Sequence, residues 1–451
     1  MTTDKTGAPR ASLSVTDGAL MMVGIIIGIG IFKTPQLVAL FTPNPWVFVA
    51  LWALGGVATL IGALVYAELA ASYPSTGGEY HFLTRAFGQD VGFLFAWART
   101  TVIQTGAIAA VAFVLGDYAQ ELYALGAHGP AIYGGAALLI LTLVNLAGTY
   151  ESKTAQNIFT VLEAGALAAI ALAGFLHGGG DAATIVPSEN SGLGATGFGT
   201  MGLAMVFILL TYGGWNEAAY LSADLRNVKR DMIRILLIGT AVVTILYVLI
   251  NLAYLQVLGF EGLRRSNAVA ADVMRIGFGD SGAAILSLIV VCAALSTMNA
   301  SIFTGARLYH ALGEDLALKH LRVWDRRGNN PRHAILAQSL IAFALLMFGA
   351  FARDGFQAMV EYTAPVFWFF LLLVGVSLFV LRRRDPERER PFRAPLYPLI
   401  PALFCAICGY LLYASLVYTG RGALVGIVVL LAGIPLIGFT RRKRRGAAAA
   451  K

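Results

Sequence analysis

The chain has 451 residues, 58% of them hydrophobic and 13% charged, with a formal net charge of +8. Its apolar stretches reach the roughly 20 residues that cross the hydrocarbon core of a bilayer, which excludes a soluble globular protein. Long continuous runs such as "AAILSLIVVCAALSTMNASIF" predict an all-α integral membrane protein, because a barrel would show alternating segments of about ten residues.

The first fifteen residues are polar and the apolar run behind them has no cleavage-site pattern, so no signal peptide is expected. Apolar runs bounded by charge or Pro/Gly clusters then predict twelve transmembrane helices, at 16–41, 46–72, 89–118, 131–148, 154–176, 196–221, 232–258, 281–311, 333–352, 357–381, 397–418 and 422–440. With the N-terminus inside, 25 of the 33 Lys and Arg residues fall in the inner segments, five in the outer ones and three within helices. That bias places both termini in the cytoplasm and predicts a multi-pass protein of the plasma (inner) membrane. It also accounts for the net charge, so no nucleic-acid partner is implied; the terminal "RRKRR" reads as a stop-transfer anchor in contact with the lipid bilayer. Cys292, Cys405 and Cys408 lie in apolar segments, which excludes a disulfide framework, and the Cys405-x-x-Cys408 pair has no second ligand pair nearby in sequence.

Two of the predicted helices carry their own interruptions. Helix 1 contains "GIIIGIGIF" (24–32), with three glycines that each cost a helix roughly 0.5–1 kcal/mol relative to alanine, and helix 6 contains "TYGGWNE" (211–217). Five is an odd number, so helices 1 and 6 enter the membrane from opposite sides, the pattern of two inverted halves with a site near the midplane. Unwinding a helix frees amides that face an anion and carbonyls that face a cation; an amino acid zwitterion carries both charges on one carbon. The competing reading is a tight helix-packing face, since Gly24-x-x-x-Gly28 also has that spacing.

Five motifs in order, "GIIIGIGIF", "YAELAASYPSTGGEYHFL" (66–83), "TYGGWNEAAYLSADLRN" (211–227), "NASIFTGARLYHAL" (299–312) and "RPFRAPLYPLIPALF" (390–404), resemble amino acid permeases of the amino acid-polyamine-organocation superfamily, near its L-type and cationic amino acid transporter branch. The resemblance implies a LeuT-type fold with helices 1–5 and 6–10 as inverted repeats. The chain then divides into a cytoplasmic tail (1–15), a transport core (16–381), helices 11 and 12 (397–440) and a basic tail (441–451). It further implies that the substrate carboxylate meets the amides around Ile29, Gly30 and Ile31, with Gly28 and Gly30 allowing close approach. The ammonium meets the carbonyls of Ile26, Leu210 and Gly213, and Asn216 braces the unwound segment or touches substrate. Three departures stand out. Ile29 replaces a frequent Ser or Thr, Leu210 replaces a frequent gating aromatic, and Glu163 stands where many members with "ESK" opening helix 5 carry lysine.

A carboxylate near a helix centre costs about 2.5–3.5 kcal/mol on insertion scales, so Glu163 must be paired, solvated or protonated. It reads as a proton-coupling residue, as a cation binder (sodium, with Ser296 and Thr297, or a cationic substrate side chain), or as a structural partner of a buried polar group. Glu68 and Arg307, near helix ends, read as salt-bridging or snorkelling residues, and Lys33 is expected to reach the exterior. Arg99 and Gln104 on helix 3 are candidates for the pathway lining, and the histidines show no metal-ligand spacing. No cofactor is implied. No H-E-x-x-H, G-x-S-x-G or Walker A pattern occurs, so the chain is expected to be neither an enzyme nor an ATP-driven pump. The expected function is secondary active transport of neutral L-amino acids by uptake or exchange, driven by a proton or sodium ion. Transport of cationic amino acids or polyamines, sodium symport, a channel and a membrane sensor are the alternatives.

Overall fold

The computed structural model describes residues 15–438, apart from residues 76, 322 and 353 and the segments 149–152, 178–197, 219–227, 317–319, 324–329 and 418–420. In chain order the helices are α1 (Val15–Ile26), α2 (Gly30–Leu40), α3 (Pro45–Ser72), α4 (Gly78–Phe87), α5 (Gln89–Ala98), α6 (Thr105–Leu122), α7 (Gly129–Leu146), α8 (Lys153–His177), α9 (Phe198–Thr211), α10 (Trp215–Ala218), α11 (Val228–Arg265), α12 (Val269–Leu316), α13 (Arg332–Ala350), α14 (Gly355–Arg384), α15 (Leu399–Val417) and α16 (Arg421–Leu431). Among the described residues, eight helical runs are long and apolar enough to cross a membrane, and three shorter apolar helices accompany them at 161–176, 199–211 and 422–438. The first expected helix is split into α1 and α2 around residues 27–29, and the sixth into α9 and α10 around residues 212–214. The basic tail 441–451 and residues 1–14 of the proposed tail 1–15 lie outside the described residues, and Val15 already begins α1.

Local chemistry sets several of these boundaries. Asn44 caps α3, accepting from the Val47 amide at 2.9 Å with Pro45 in the first turn, where its missing N–H costs nothing. Asp354 caps α14 the same way, accepting from the Gln357 amide at 2.8 Å. Gly259 (φ 67°) and Gly279 (φ 72°) bend the runs of α11 and α12, so a short helical piece precedes the long part of α12 where only a loop was expected. The ten-residue stretch Gly78–Phe87, left between the expected helices, is α4; between α5 and α6, residues Arg99–Gln104 form a π-helical turn.

In lipid the helices gain little from hydrophobic transfer against one another, so close packing and hydrogen bonds between them must hold the bundle. α3 is the spine on which the broken helix 6 rests. A Cβ at Gly55 would stand 2.4 Å from Ile208 of α9, and one at Gly56 would stand 2.0 Å from the Thr244 hydroxyl of α11. Where these elements meet, Trp52 and Tyr212 each meet the Tyr247 ring edge to face, the two tyrosine rings 4.9 Å apart.

The two ends of the bundle are fastened by charge. At the arginine-rich end Glu68 of α3, fully buried, takes both nitrogens of Arg382 at 2.6 and 2.7 Å and the Ala394 amide at 2.7 Å, with Arg390 at 3.7 Å. This is the salt-bridging role expected for Glu68. Beside it, Asp385 accepts from Arg85 of α4 at 2.9 Å and from the Tyr73 hydroxyl at 3.0 Å. At the opposite end, Arg264 donates to the last carbonyls of the first broken helix, Ala39 at 2.9 Å and Thr42 at 2.6 Å, where the helix dipole favours a cation.

Hydrogen bonds from Arg85, then from Tyr73, hold the Asp385 carboxyl below its usual pKa. A depressed folded-state pKa means that Asp385 stabilises the fold at neutral pH and that this contribution disappears as the pH falls through and below the ordinary value of about 4. Thermal melts should therefore separate Asp385→Asn from wild type at pH 7 and narrow the gap steadily as the pH falls below about 4; a gap that persists unchanged in acid would refute the assignment.

A paired helix break as candidate functional site

After Ile26 the chain of α1 leaves helical geometry, and α2 restarts at Gly30. The Ile27 amide still donates to Val23 at 2.9 Å and the Phe32 amide already donates to Ile29 at 3.1 Å. Between them, among the described residues, the amides of Ile29, Gly30 and Ile31 have no protein acceptor, and no side chain caps α2. Buried amides without partners are rare, because each forfeits most of a hydrogen bond's worth.

The carbonyls of the same segment are served from the side by tyrosines. Tyr247 of α11 places its hydroxyl 3.0 Å from the Ile26 carbonyl and 3.3 Å from that of Thr211, so one group spans both breaks. Tyr254 donates to Ile31 at 3.4 Å, and Tyr118 of α6 to Phe32 at 2.8 Å. Each carbonyl has two lone pairs, so the Ile26 oxygen keeps a place for a second donor. In helix 6 the Leu210 carbonyl takes the Gly213 amide at 3.1 Å, and Gly214, at φ 98°, turns the chain out of α9 into the short α10. The breaks touch directly: a Cβ on Gly30 would stand 3.2 Å from the Thr211 side chain. The three glycines of helix 1 differ sharply. A Cβ on Gly24 would meet nothing within 4 Å, and one on Gly28 only the Ile26 carbonyl at 4.0 Å, so neither glycine is required by a packed neighbour.

The remaining sequence candidates fall in three places. Asn216 stands just beyond the second break and donates to Glu79 of α4 at 2.9 Å. Glu163 is 9% exposed on α8, which packs on α11 and α12. Among the described residues it has no hydrogen-bond or ion-pair partner, which leaves no structural mate for it there. Thr297 spends its hydroxyl proton on Ala293 of its own helix at 3.0 Å. Gln104 donates to the Ser301 carbonyl at 3.0 Å, so it faces α12, and Arg307 folds back over Phe303 of its own helix.

Lys33 corrects the expectation that it reaches the exterior. It is 2% exposed, with its ammonium 2.8 Å from Asp117 and 3.0 Å from Asp354. Two carboxylates from separate helices hold the cation more favourably than snorkelling would. A cavity of about 450 Å³ opens beside this triad, lined also by Glu121 and His128. Sequence reasoning missed Tyr247, Tyr254 and Glu79; the first two stand with Asn251 at four- and seven-residue spacing on one face of an otherwise apolar helix, which is the signal that marks them. Among the described residues no group of three His, Cys, Asp or Glu side chains is placed to hold a metal ion.

Residues 13–439 match the family model described as amino acid permease. The chain is 31% identical over 424 residues to the b(0,+)-type amino acid transporter 1 of Homo sapiens, covering 92% of this chain and 84% of the relative. It is 27% identical to the serine/threonine exchanger SteT of Bacillus subtilis (strain 168), covering 94% and 95%, and 26% identical to the cystine/glutamate transporter of Homo sapiens, covering 94% and 84%. These relatives are transporters and exchangers of amino acids, not enzymes.

Proposed function

The chain belongs to the amino acid permease family, as a membrane transporter of amino acids, and on that premise we propose that it carries neutral L-amino acids across the plasma membrane by alternating access. The observation that carries this reading is the set of unpartnered amides at Ile29, Gly30 and Ile31 beside the open space at Gly28. The substrate carboxylate binds those amides at the start of α2, where the helix dipole is positive, and its ammonium binds the free lone pair of Ile26 with the carbonyls of Leu210 and Gly213. Backbone groups recognise what all amino acids share, so the neutral side chain needs no charged partner.

In this reading the helices make twelve spans in the LeuT-type 5+5 arrangement, with α1–α2 and α9–α10 as the broken pair and the arginine-rich end in the cytoplasm. Glu163 takes up and releases the coupling proton: a buried carboxylate without a cationic partner is cheaper neutral than charged, and its helix α8 packs on α11, whose Tyr247 spans both breaks. The same missing partner favours a second reading, in which Glu163 binds sodium or the side chain of a cationic substrate.

Proteoliposomes loaded with unlabelled amino acid and given labelled L-leucine, L-serine or L-arginine outside test both. Saturable counterflow of the neutral pair, with pH-driven accumulation lost but exchange retained in Glu163→Gln, is the expected result. Continued pH-driven accumulation in the variant would eliminate proton coupling through Glu163, and sodium-driven or arginine-specific uptake abolished by the substitution would establish the second reading. Flux that never saturates would remove the transporter mechanism in favour of a channel.

A further inference from the structure

α4, unforeseen in the sequence, brings a carboxylate to the second break. Glu79 lies in the first turn of α4, only 7% exposed, with one oxygen 2.9 Å from the Asn216 amide nitrogen and the other 3.5 Å from Arg99. Three separate elements therefore meet on one side chain: α10 just past the break, α4, and the π-helical turn that opens at Arg99.

Two of the groups that meet Glu79 can be followed into the fold. The π-turn behind Arg99 is fixed from two sides, its Thr100 carbonyl accepting from Tyr309 of α12 and its Thr101 carbonyl from Tyr362 of α14, each at 2.9 Å. Asn216 follows Gly214, at φ 98°, and Trp215, whose ring packs edge to face on Tyr66 and Phe404. Glu79 thus ties the segment just past the second break to the π-turn, on the arginine-rich side of the break. A hydrogen bond to a buried carboxylate is stronger than one to a neutral acceptor, so the Asn216 N–H it engages is withheld from any other acceptor.

We propose that Glu79 is a clasp: it closes the path between the paired break and the arginine-rich end, and it competes with the substrate carboxylate for the Asn216 amide. Glu79 acts through Asn216 and is a positioning residue. The inference rests on the amino acid site proposed above. When substrate binds, Asn216 turns from Glu79 to the ligand, α10 is released from Arg99, and the arginine-rich side opens; when substrate leaves, the clasp re-forms.

Equilibrium binding of labelled L-leucine and L-serine to the purified full-length protein tests this, together with counterflow. Removing a competitor should tighten binding while slowing the cycle. Glu79→Ala is expected to lower Kd about tenfold, the equivalent of ~1.4 kcal/mol, and to reduce maximal counterflow. Glu79→Gln, which keeps an acceptor for Asn216 but loses the charge facing Arg99, should shift both in the same direction by a smaller factor and guards against misfolding of the alanine variant. A purely structural Glu79 would weaken binding or leave Kd unchanged while lowering the melting midpoint, and either result in both variants overturns the clasp. If wild type binds neither amino acid, the amino acid site itself falls and the clasp with it; if wild type binds and the variants do not bind more tightly, the clasp alone fails.

Discussion

Glu68→Ala is expected to cost on the order of 3–5 kcal/mol of stability, enough to lower the melting midpoint of the detergent-purified protein severely and to depress its yield in the membrane. The carboxylate is wholly buried and takes three hydrogen bonds, two from Arg382 and one from the Ala394 amide, with Arg390 close by. Removing it leaves the Arg382 guanidinium and the Ala394 N–H without their acceptor, and the penalty is that of the abandoned groups rather than of the pair itself. The loss also unfastens the connection between α14 and α15 from the end of α3, since the Ala394 amide lies in that connection. Glu68→Gln should recover part of the stability by accepting from the amide and one guanidinium nitrogen. Unchanged midpoints in both variants would show that the cluster is solvated and contributes little, as exposed ion pairs usually do.

The helices were legible because hydropathy over twenty residues is a coarse and strong signal: a segment such as Pro45–Ser72 has no other use for its composition. What escaped was whatever depends on partners distant in sequence. α4 is ten residues long and amphipathic, too short and too polar to register against the spans on either side. Lys33 was misplaced because a lysine seven residues from a helix end ordinarily reaches water, and nothing local reveals that Asp117 and Asp354 converge on it. Of the candidate site, the breaks themselves were written in their glycines. The tyrosines that serve the carbonyls were hidden in an apolar helix, where a tyrosine reads as one more large hydrophobe until its hydroxyl is given a destination. Glu217 and the rest of the helix 6 motif, residues 219–227, include side chains outside the described residues, so that part of the resemblance gains no geometry.

Gly28→Leu should leave the protein folded and inserted yet abolish amino acid binding, a loss of at least 100-fold in affinity, which corresponds to about 2.7 kcal/mol. The reasoning turns on the difference among the three glycines of "GIIIGIGIF". Gly24 is exposed with no protein atom near its missing Cβ, so Gly24→Leu should be neutral or slightly stabilising, as expected for replacing glycine within a helix. At Gly30 a Cβ meets Thr211 at 3.2 Å, so Gly30→Leu should push the two breaks apart and damage both packing and transport. Gly28 is the informative case. Its neighbourhood is open, a Cβ there meeting only the Ile26 carbonyl at 4.0 Å, and the backbone demands no glycine-only conformation. A glycine that packing does not need, placed beside three amides without acceptors, keeps space for something the chain itself does not supply. A side chain filling that space would compete with the ligand and not with the fold. Melting midpoints near wild type together with lost L-leucine and L-serine binding would bear this out; full transport by Gly28→Leu would mean that the substrate approaches the break from elsewhere, and that the amides of Ile29, Gly30 and Ile31 are satisfied by water.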